Sequence, residues 1–202
     1  MAHHTWALYM GCVIPNRLPF MEIAIRETLR YFDIPVKEID GFTCCPNPLT
    51  LPHIDHHAAL AITARNLAVA EEQGLPILTP CHGCFEMLKG ASVRLKEDKA
   101  LLEHINAIIA KTGHEYKGKT EVKHFIQLLF EDIGPESIAA RVELPLTGLR
   151  VALHVGCHIV RPSHLLDVDN GQRPTLLYDM VEALGVRTIH YQDEMDCCGC
   201  GT

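Results

Sequence analysis

The stretch Pro76-Ile-Leu-Thr-Pro-Cys81-His-Gly-Cys84 decides how this chain is expected to fold. Pro76–Thr79 has the length and apolar composition of a buried strand, and Pro80–Cys84 predicts a tight turn into a helix. A similar order occurs near the start of the chain, where a predicted strand, Trp6–Met10, runs into a loop that ends at Cys12. Because strands that alternate with helices are typical of a parallel sheet, we predict an α/β fold with cysteines gathered in strand-end loops.

Two helices separate the predicted strands of this first part of the chain. The helix Pro19–Phe32 has apolar residues at helical spacing, which predicts a stripe that faces the core. The residues of that stripe are Ile23, Leu29 and Phe32. The helix Ala58–Gln73 follows Asp55, a favourable N-cap residue, and Gly74 ends it. A short strand is predicted between the two helices, at Pro35–Ile39.

The rest of the chain is predicted to repeat this order after a long helical region. Lys89–Ile133 is predicted to be mostly helical, and a stretch with proline and glycine follows it. Strand, helix and strand then return at Leu149–Val155, Thr175–Leu184 and Val186–Tyr191. We therefore predict two pseudo-symmetric β-α halves: a first cysteine-rich repeat at residues 1–135, a linker at 136–148 and an incomplete second repeat at 149–202.

The cysteines themselves repeat along the chain. A single cysteine is separated from an adjacent pair by 31 intervening residues in the first copy and by 39 in the second. The matching motifs are Gly11-Cys12 with Gly156-Cys157, and Cys44-Cys45 with Cys197-Cys198. The first copy continues to Cys81-x-x-Cys84, whereas the second reaches Thr202 without such a motif. We expect one complete site and part of a second within this sequence.

Composition argues against several classes of function. The chain has 202 residues and is 48% hydrophobic, so its core does not depend on disulfides. Its formal net charge of −7 argues against nucleic acid or an anionic membrane as the main partner. No apolar stretch reaches the roughly 20 residues that span a bilayer, and the N-terminus lacks the basic region of a signal peptide. We therefore expect a cytoplasmic protein whose nine cysteines stay reduced and serve as ligands or catalytic groups.

The cysteines of the first copy are typical of a metal site. Cys81-x-x-Cys84 on a turn between a strand and a helix suits zinc or an iron–sulfur cluster, although a thioredoxin-like redox motif has the same spacing. Neighbouring side chains on a strand point to opposite faces, so Cys44 and Cys45 reach one centre only from a kinked loop. Pro46 and Pro48 favour such a loop. Five thiolates exceed what four-coordinate zinc needs and favour a multi-iron cluster.

The tandem cysteine pattern resembles the cysteine-rich CCG domain found in the B subunit of heterodisulfide reductase, which is similar to domains of succinate-, glycolate- and lactate-oxidising complexes. The resemblance extends over essentially the whole chain. Besides the remaining cysteines it includes Gly11-Cys12-Val-Ile-Pro-Asn-Arg17, Cys44-Cys45-Pro46, Ala64-Arg65-Asn66, Glu115-Tyr116-Lys117-Gly118, Val122-Lys123-His124-Phe125 and Gly156-Cys157-His158.

This resemblance implies a cofactor, a reaction and partners. It implies a noncubane [4Fe–4S] cluster at the first motif, and a second cluster in a full-length chain. The implied ligands are Cys12, Cys44, Cys45, Cys81 and Cys84 for the first cluster, and Cys157, Cys197 and Cys198 for the second. In that family the heterodisulfide of coenzyme M and coenzyme B is reduced to two thiols. Electrons arrive from a cubane iron–sulfur subunit, which a flavin subunit supplies.

Four further residues are candidates for roles at the site. Reduction of a disulfide consumes two electrons and two protons, and His158 is a candidate proton donor. Arg17 and Arg161 each follow a repeat-start cysteine and are candidates for binding an anionic substrate. Cys200 is either a stray thiol or a substitute ligand.

Two other functions remain open on the sequence. One is a non-catalytic electron-transfer subunit, with one cluster that passes electrons to a flavin- or quinone-linked partner. The other is a zinc-stabilised assembly module without a redox role.

Overall fold

The structure is a computed structural model that describes residues 4–199. The chain divides into two compact units, with the boundary between His124 and Phe125. The strands of the first unit are β1 (Trp6–Leu8), β2 (Val36–Lys37), β3 (Ile77–Thr79) and β4 (Val122–His124). They form one parallel sheet in the order β2-β1-β3-β4. In the register of this sheet, Ala7 pairs with Lys37 on one side and with Ile77 on the other.

The strand order determines where the cysteines lie. Because β1 lies between β2 and β3, the chain first adds a strand on one side of β1 and then crosses to the other side. In open parallel sheets, ligands bind outside the carboxyl ends of the strands at the point where the order reverses. That point lies between β1 and β3 here, and the segments that follow these strands carry Cys12 and Cys81.

Helices occupy the connections between the strands. They are α1 (Val13–Arg17), α2 (Pro19–Tyr31), α3 (Leu51–Ile54), α4 (His56–Glu72), α5 (His82–Glu97) and α6 (Lys99–Ile109), with a 3-10 turn at Ala110–Thr112. α4 packs against α3, α5 and α6, and Ala64 and Leu67 within it are fully buried. α4 is therefore central to the core of the first unit. Of the helices that the structure describes, none combines the length and hydrophobicity needed to cross a membrane.

Side chains near the two ends of α4 tie it to its surroundings. The carboxylate of Asp55 accepts a hydrogen bond of 2.9 Å from the backbone N–H of Ala58, which confirms the predicted N-cap. Near the other end, the carboxylate of Glu71 accepts backbone N–H groups of the segment that leads into β4. These N–H groups belong to Lys117 (2.6 Å), Lys119 and Thr120 (3.1 Å).

Besides shifts of one or two residues at the ends of elements, two details of the first unit differ from the sequence prediction. The buried stripe of α2 and its C-cap passes through Ile25, Leu29 and Phe32, whereas Ile23 is 62% exposed. The observed stripe has spacings of four and three residues, which a helix keeps on one face, so the assignment of Ile23 to it was wrong. The second difference is β4, which interrupts the region predicted to be mostly helical. With three residues, β4 is too short for its alternating pattern to stand out in the sequence.

The second unit contains a smaller parallel sheet. Its two strands are β5 (Arg150–Ala152) and β6 (Arg187–Ile189), and its helices are α7 (Phe125–Leu128), α8 (Pro135–Ala139), α9 (Cys157–Val160), α10 (Ser163–Leu166) and α11 (Leu176–Glu182), with a π-helical turn at Leu129–Ile133. The predicted α/β class with small parallel sheets is confirmed. The stretch predicted as a linker contains most of α8, which packs against α11 and buries Ile138.

The buried imidazole of His124 leads to a prediction about pH. Burial, together with the neighbouring ring of His82, lowers the pKa of His124 well below its usual value. His124 therefore stays neutral in the folded chain, whereas in the unfolded chain it binds a proton below a pH of about 6.5. Stability is expected to fall as the pH decreases through that value, by at most about 1.4 kcal/mol per pH unit from this group.

The measurement is the unfolding midpoint at pH 7.5 and 5.5 for the wild type and His124→Gln, with the exposed His53→Gln as the control. The His124 variant should lose part of the pH dependence, and the His53 variant should keep it. Equal pH dependence in all three proteins would contradict the assignment.

Candidate metal centre

Five thiols of the first unit collect at the carboxyl edge of its sheet. Cys12 follows β1, the pair Cys44-Cys45 lies in the loop after β2, and Cys81 follows β3 as the N-cap of α5. Cys84 lies in the first turn of α5, so the predicted turn ends within that helix. The connections that place these residues come from three different parts of the sequence, and the parallel sheet brings them together.

The sulfur atoms are in direct contact. Cys45 Sγ lies 3.0 Å from Cys84 Sγ, which is longer than the about 2.05 Å of a disulfide, and both residues are free thiols. Hydrogen-bonding contact also joins the thiol of Cys44 to that of Cys12, and the thiol of Cys84 to that of Cys81. The structure therefore brings all five predicted first-motif cysteines into one cluster of thiols.

The backbone at Gly11 allows this close approach. Gly11 has φ +75°, a left-handed conformation that favours glycine, and it immediately precedes Cys12. A Cβ atom at Gly11 would lie 2.9 Å from Cys84 Sγ and 3.9 Å from Cys81 Sγ. A side chain at this position would therefore occupy space next to the sulfur atoms.

The thiols resist ionisation because they are crowded. Burial and the nearby charges of Cys45 and Cys12 raise the pKa of Cys44 to about 11. Hydrogen bonds with Cys45 and Cys81, together with burial, also raise the pKa of Cys84. Several thiolates cannot coexist in so small a volume without a cation. Because metals bind the thiolate form, a metal at this site would release protons and remove the repulsion.

The exposed members of the cluster of thiols lie beside a cleft. Cys45 and Cys84 are buried, Cys81 is half-buried, and Cys12 and Cys44 are exposed. A cleft of approximately 440 Å³ lies beside the exposed pair. Its lining includes Tyr9, Met10, Pro15, Phe42 and the ionic group Glu22, Arg26 and Glu38. A small molecule can therefore reach the site from the side of Cys12 and Cys44.

Side chains outside the cysteine motifs brace the loops that carry the thiols. The hydroxyl of Thr79 accepts a hydrogen bond of 3.4 Å from the backbone N–H of Cys81. The ring of His124 hydrogen-bonds the backbone at Pro80 and lies 4.9 Å, centroid to centroid, from the ring of His82. Asn66 contacts the loop of Cys44. The sequence predicts that His82 hydrogen-bonds a cluster sulfur or the backbone, but it gave no role to Thr79, Asn66 or His124, although an asparagine within the apolar stripe of α4 was a usable signal.

The second unit repeats the local geometry of the first cysteine. Gly156 has φ +69°, close to that of Gly11, and a helix starts at Cys157 just as α1 starts after Cys12. Cys157 and His158 are half-buried in α9. Cys197 and Cys198 are exposed in the loop after β6, where the backbone N–H of Gly199 donates to Cys197 Sγ at 3.4 Å. Cys200 lies outside the described residues.

The two candidate arginines have different surroundings. Arg17 ends α1 and is exposed, whereas Arg161 Nε donates to the backbone carbonyl of Gly171 at 2.7 Å. The guanidinium that lines the cleft belongs to Arg26, which bonds Glu22 at 2.8 Å and also pairs with Glu38. The roles of Arg17, Arg161 and His158 stay predictions.

The donor set of the first unit fits an iron–sulfur group. Thiolates are the ligands that iron–sulfur clusters require, and five sulfurs are available where single zinc ions take four ligands. Within residues 4–199, no group of three or more His, Cys, Asp or Glu side chains is arranged to hold a single metal ion.

Comparison with known proteins gives a family match and curated relatives. The sequence matches the family described as "CCG: Cysteine-rich domain" over residues 6–89 and 151–202. The B subunit of the ferredoxin/F420H2-dependent CoB–CoM heterodisulfide reductase of Methanosarcina acetivorans is 36% identical over 195 residues, which cover 96% of this chain and 65% of that protein. A heterodisulfide reductase B-subunit-like protein of Archaeoglobus profundus is 31% identical, over 97% of this chain and 66% of that protein.

This chain is also similar to a further curated relative and to a solved structure. The 8-methylmenaquinol:fumarate reductase membrane anchor subunit of Wolinella succinogenes is 32% identical over 96% of this chain and 66% of its own length. This chain thus spans 65–66% of the length of these three relatives. A crystal structure of a hypothetical protein from Helicobacter pylori matches with a TM-score of 0.72 at 14% identity, over 95% of this chain and 34% of that one. That likeness concerns the fold alone.

The close approach at Gly11 gives a testable prediction. Gly11→Ala is expected to lower the free energy of unfolding for two reasons. An alanine in the left-handed conformation costs about 1–2 kcal/mol. Its Cβ atom would also overlap Cys84 Sγ, which costs about 1–3 kcal/mol more. Gly113→Ala is the matched control, because Gly113 has φ +82° but no atom lies within 4 Å of the place that a Cβ would take. The unfolding midpoint should fall further in Gly11→Ala than in Gly113→Ala. Equal losses would mean that the sulfur contact does not constrain this position.

Proposed function

This chain belongs to the CCG cysteine-rich domain family, and on that premise we propose that it is an iron–sulfur subunit of an oxidoreductase complex. The proposed cofactor is a noncubane [4Fe–4S] cluster at the first motif. Its ligands are Cys12, Cys44, Cys45, Cys81 and Cys84. The observation that carries the proposal is the convergence of these five thiols from three strand-end segments, with the Cys45 and Cys84 sulfurs 3.0 Å apart.

The proposed reaction is the reduction of a disulfide, of the coenzyme M–coenzyme B type, to two thiols. The disulfide bond breaks, two electrons and two protons are consumed, and two thiols leave. When bound, a cluster supplies electrons one at a time and a soft metal for thiolate sulfur. The names of the relatives from Methanosarcina acetivorans and Archaeoglobus profundus support this reaction.

The residues of the chain have distinct proposed parts in this reaction. The cleft beside Cys12 and Cys44 admits the disulfide to the exposed side of the site. His158 donates a proton to a leaving thiolate, because histidine is the side chain that most often serves as a general acid. Arg17 and Arg161 bind anionic groups of the substrate, and a guanidinium suits sulfonate or phosphate.

The second motif and the partners are part of the same proposal. The chain consists of a first cysteine-rich repeat at residues 1–135 and an incomplete second repeat at 149–202. In the second repeat, a second cluster site includes Cys157, Cys197 and Cys198. The electron donors are a cubane iron–sulfur protein and a flavoprotein of the same complex, in the cytoplasm. The names of the curated relatives, which are subunits of reductases, support an assembly with partners.

A second candidate function is electron transfer without chemistry on a disulfide. The similarity to the membrane anchor subunit of 8-methylmenaquinol:fumarate reductase favours it. In that case one cluster would pass electrons between this chain and a quinone- or flavin-linked partner, and the cleft beside Cys12 would not bind substrate.

Metal content tests the cofactor. Anaerobically purified chain is expected to hold about four irons for the complete motif and little zinc. Cys45→Ser should remove most of this iron, because Cys45 is a buried member of the cluster of thiols. Cys197→Ser, in the second unit, should leave the iron of the first motif in place. One zinc per chain without iron would refute the proposal and favour an assembly module.

Spectroscopy separates the two candidate functions. For the first, a candidate disulfide added to the reduced protein should change the EPR signal and release two thiols per disulfide consumed. For the second, a menaquinol analogue should change the redox state of the cluster while disulfides have no effect. Ile39 lines the cleft without belonging to the thiols, so Ile39→Trp should narrow the cleft and weaken only the disulfide response.

A further inference from the structure

Asn66 is a polar side chain in an apolar setting. It lies in the interior of α4, has no exposed surface, and its buried neighbours along the helix include Ala64, Leu67 and Ala70. Burying a carboxamide in an apolar medium is unfavourable unless its donors and acceptor find partners. An asparagine is also unfavourable in the interior of a helix. Its presence therefore points to specific hydrogen bonds.

Those bonds go to the segment that carries the first of the paired cysteines. Asn66 Oδ1 accepts from the backbone N–H of Thr43 at 2.8 Å and from its hydroxyl at 3.2 Å. Asn66 Nδ2 donates to the backbone carbonyls of Thr43 at 3.3 Å and Cys44 at 3.4 Å. The carboxamide thus meets both donors and acceptors of one short piece of backbone, which an ionised carboxylate cannot do because it only accepts.

Tyr9 reaches the same piece of backbone from the segment after β1. Its hydroxyl donates to the carbonyl of Thr43, and Asn66 Nδ2 lies 3.5 Å from that hydroxyl. A phenolic hydroxyl is protonated at neutral pH and is therefore a hydrogen-bond donor to this carbonyl. The ring of Tyr9 packs edge-on against Phe42, 4.9 Å between centroids.

The loop needs this support because it has no ladder of backbone hydrogen bonds. Residues 43–47 belong to no helix or strand, and side chains of adjacent residues in an extended chain point apart. Cys44 and Cys45 nevertheless both join the cluster of thiols, one exposed and one buried. An irregular backbone of this kind keeps one shape only when side chains hold it.

We propose that Asn66 is the positioning residue of the metal centre: its carboxamide, aided by the Tyr9 hydroxyl, fixes the backbone of Thr43 and Cys44 so that both paired thiols face the same centre. The inference rests on the proposed iron–sulfur function for the identity of the metal. It does not require the catalytic reaction, since the hydrogen bonds exist within the chain itself.

The test compares Asn66→Leu with Thr63→Val in the full chain. Thr63 is equally buried on the same helix, but its hydroxyl bonds the carbonyl of Ala59 within that helix, at 2.8 Å. Both variants remove a buried polar group from α4, whereas the contacts with the cysteine loop are lost in Asn66→Leu. Iron per chain, the EPR signal and the unfolding midpoint are measured for both variants and the wild type after anaerobic purification.

Asn66→Leu is expected to lower bound iron at least about twofold and to change the EPR line shape of the iron that remains. Thr63→Val should keep the wild-type iron content and EPR signal even where its unfolding midpoint falls. Wild-type iron and EPR in Asn66→Leu would overturn the inference. Equal loss of iron in both variants, in proportion to lost stability, would also overturn it, because a general packing role would then suffice.

A second measurement keeps the inference testable where the metal proposal fails. Wild-type chain without iron refutes the proposed cofactor, and the rate at which iodoacetamide alkylates Cys44 in that metal-free chain then reports the shape of the loop. The rate of Cys44 alkylation is expected to change severalfold in Asn66→Leu and in Tyr9→Phe, and to stay unchanged in Thr63→Val. An unchanged rate in Asn66→Leu would show that the carboxamide does not position the loop.

Discussion

Mutual repulsion between thiolates is the constraint on which this structure depends. Five sulfurs at one edge of a small sheet tend to separate when ionised and to stay protonated when crowded, as the raised pKa values of Cys44 and Cys84 illustrate. Only a backbone held from several directions keeps them together without a metal. The parallel sheet holds the backbone in this way, because three segments that follow its strands meet at the same edge. The left-handed turn at Gly11 provides the space.

The parts of the fold that the sequence predicted are those with strong local signals. The N-cap at Asp55 and the strand before Cys81 both depend on neighbours in the chain, and both are found where they were expected. β4 and the buried side of α2 were missed or misplaced, since a three-residue strand carries little pattern and Ile23 and Ile25 are equally apolar. The partners of the bracing residues Asn66 and His124 were not predicted, because they lie 22 or more residues away in the sequence.

The two units share a local design around their first cysteine. A glycine with positive φ precedes Cys12 and Cys157, and each glycine follows a parallel strand by a few residues. The resemblance between the copies therefore concerns backbone conformation as well as cysteine spacing. Beyond that point the surroundings differ, since Cys45 is buried in the first unit while Cys197 and Cys198 are exposed in the second.

The ties of α4 have a consequence for how this unit evolves. Asn66 holds the cysteine loop and Glu71, five residues later, holds the segment before β4, whose His124 braces the next cysteine turn. The two ties are separated by about 7.5 Å and by a fixed rotation along one helix. Inserting or deleting a residue between them would turn one tie away from its target by about 100°. Changes of chain length in this lineage are therefore expected to accumulate in the surface loops, while the span from Asn66 to Glu71 keeps its length.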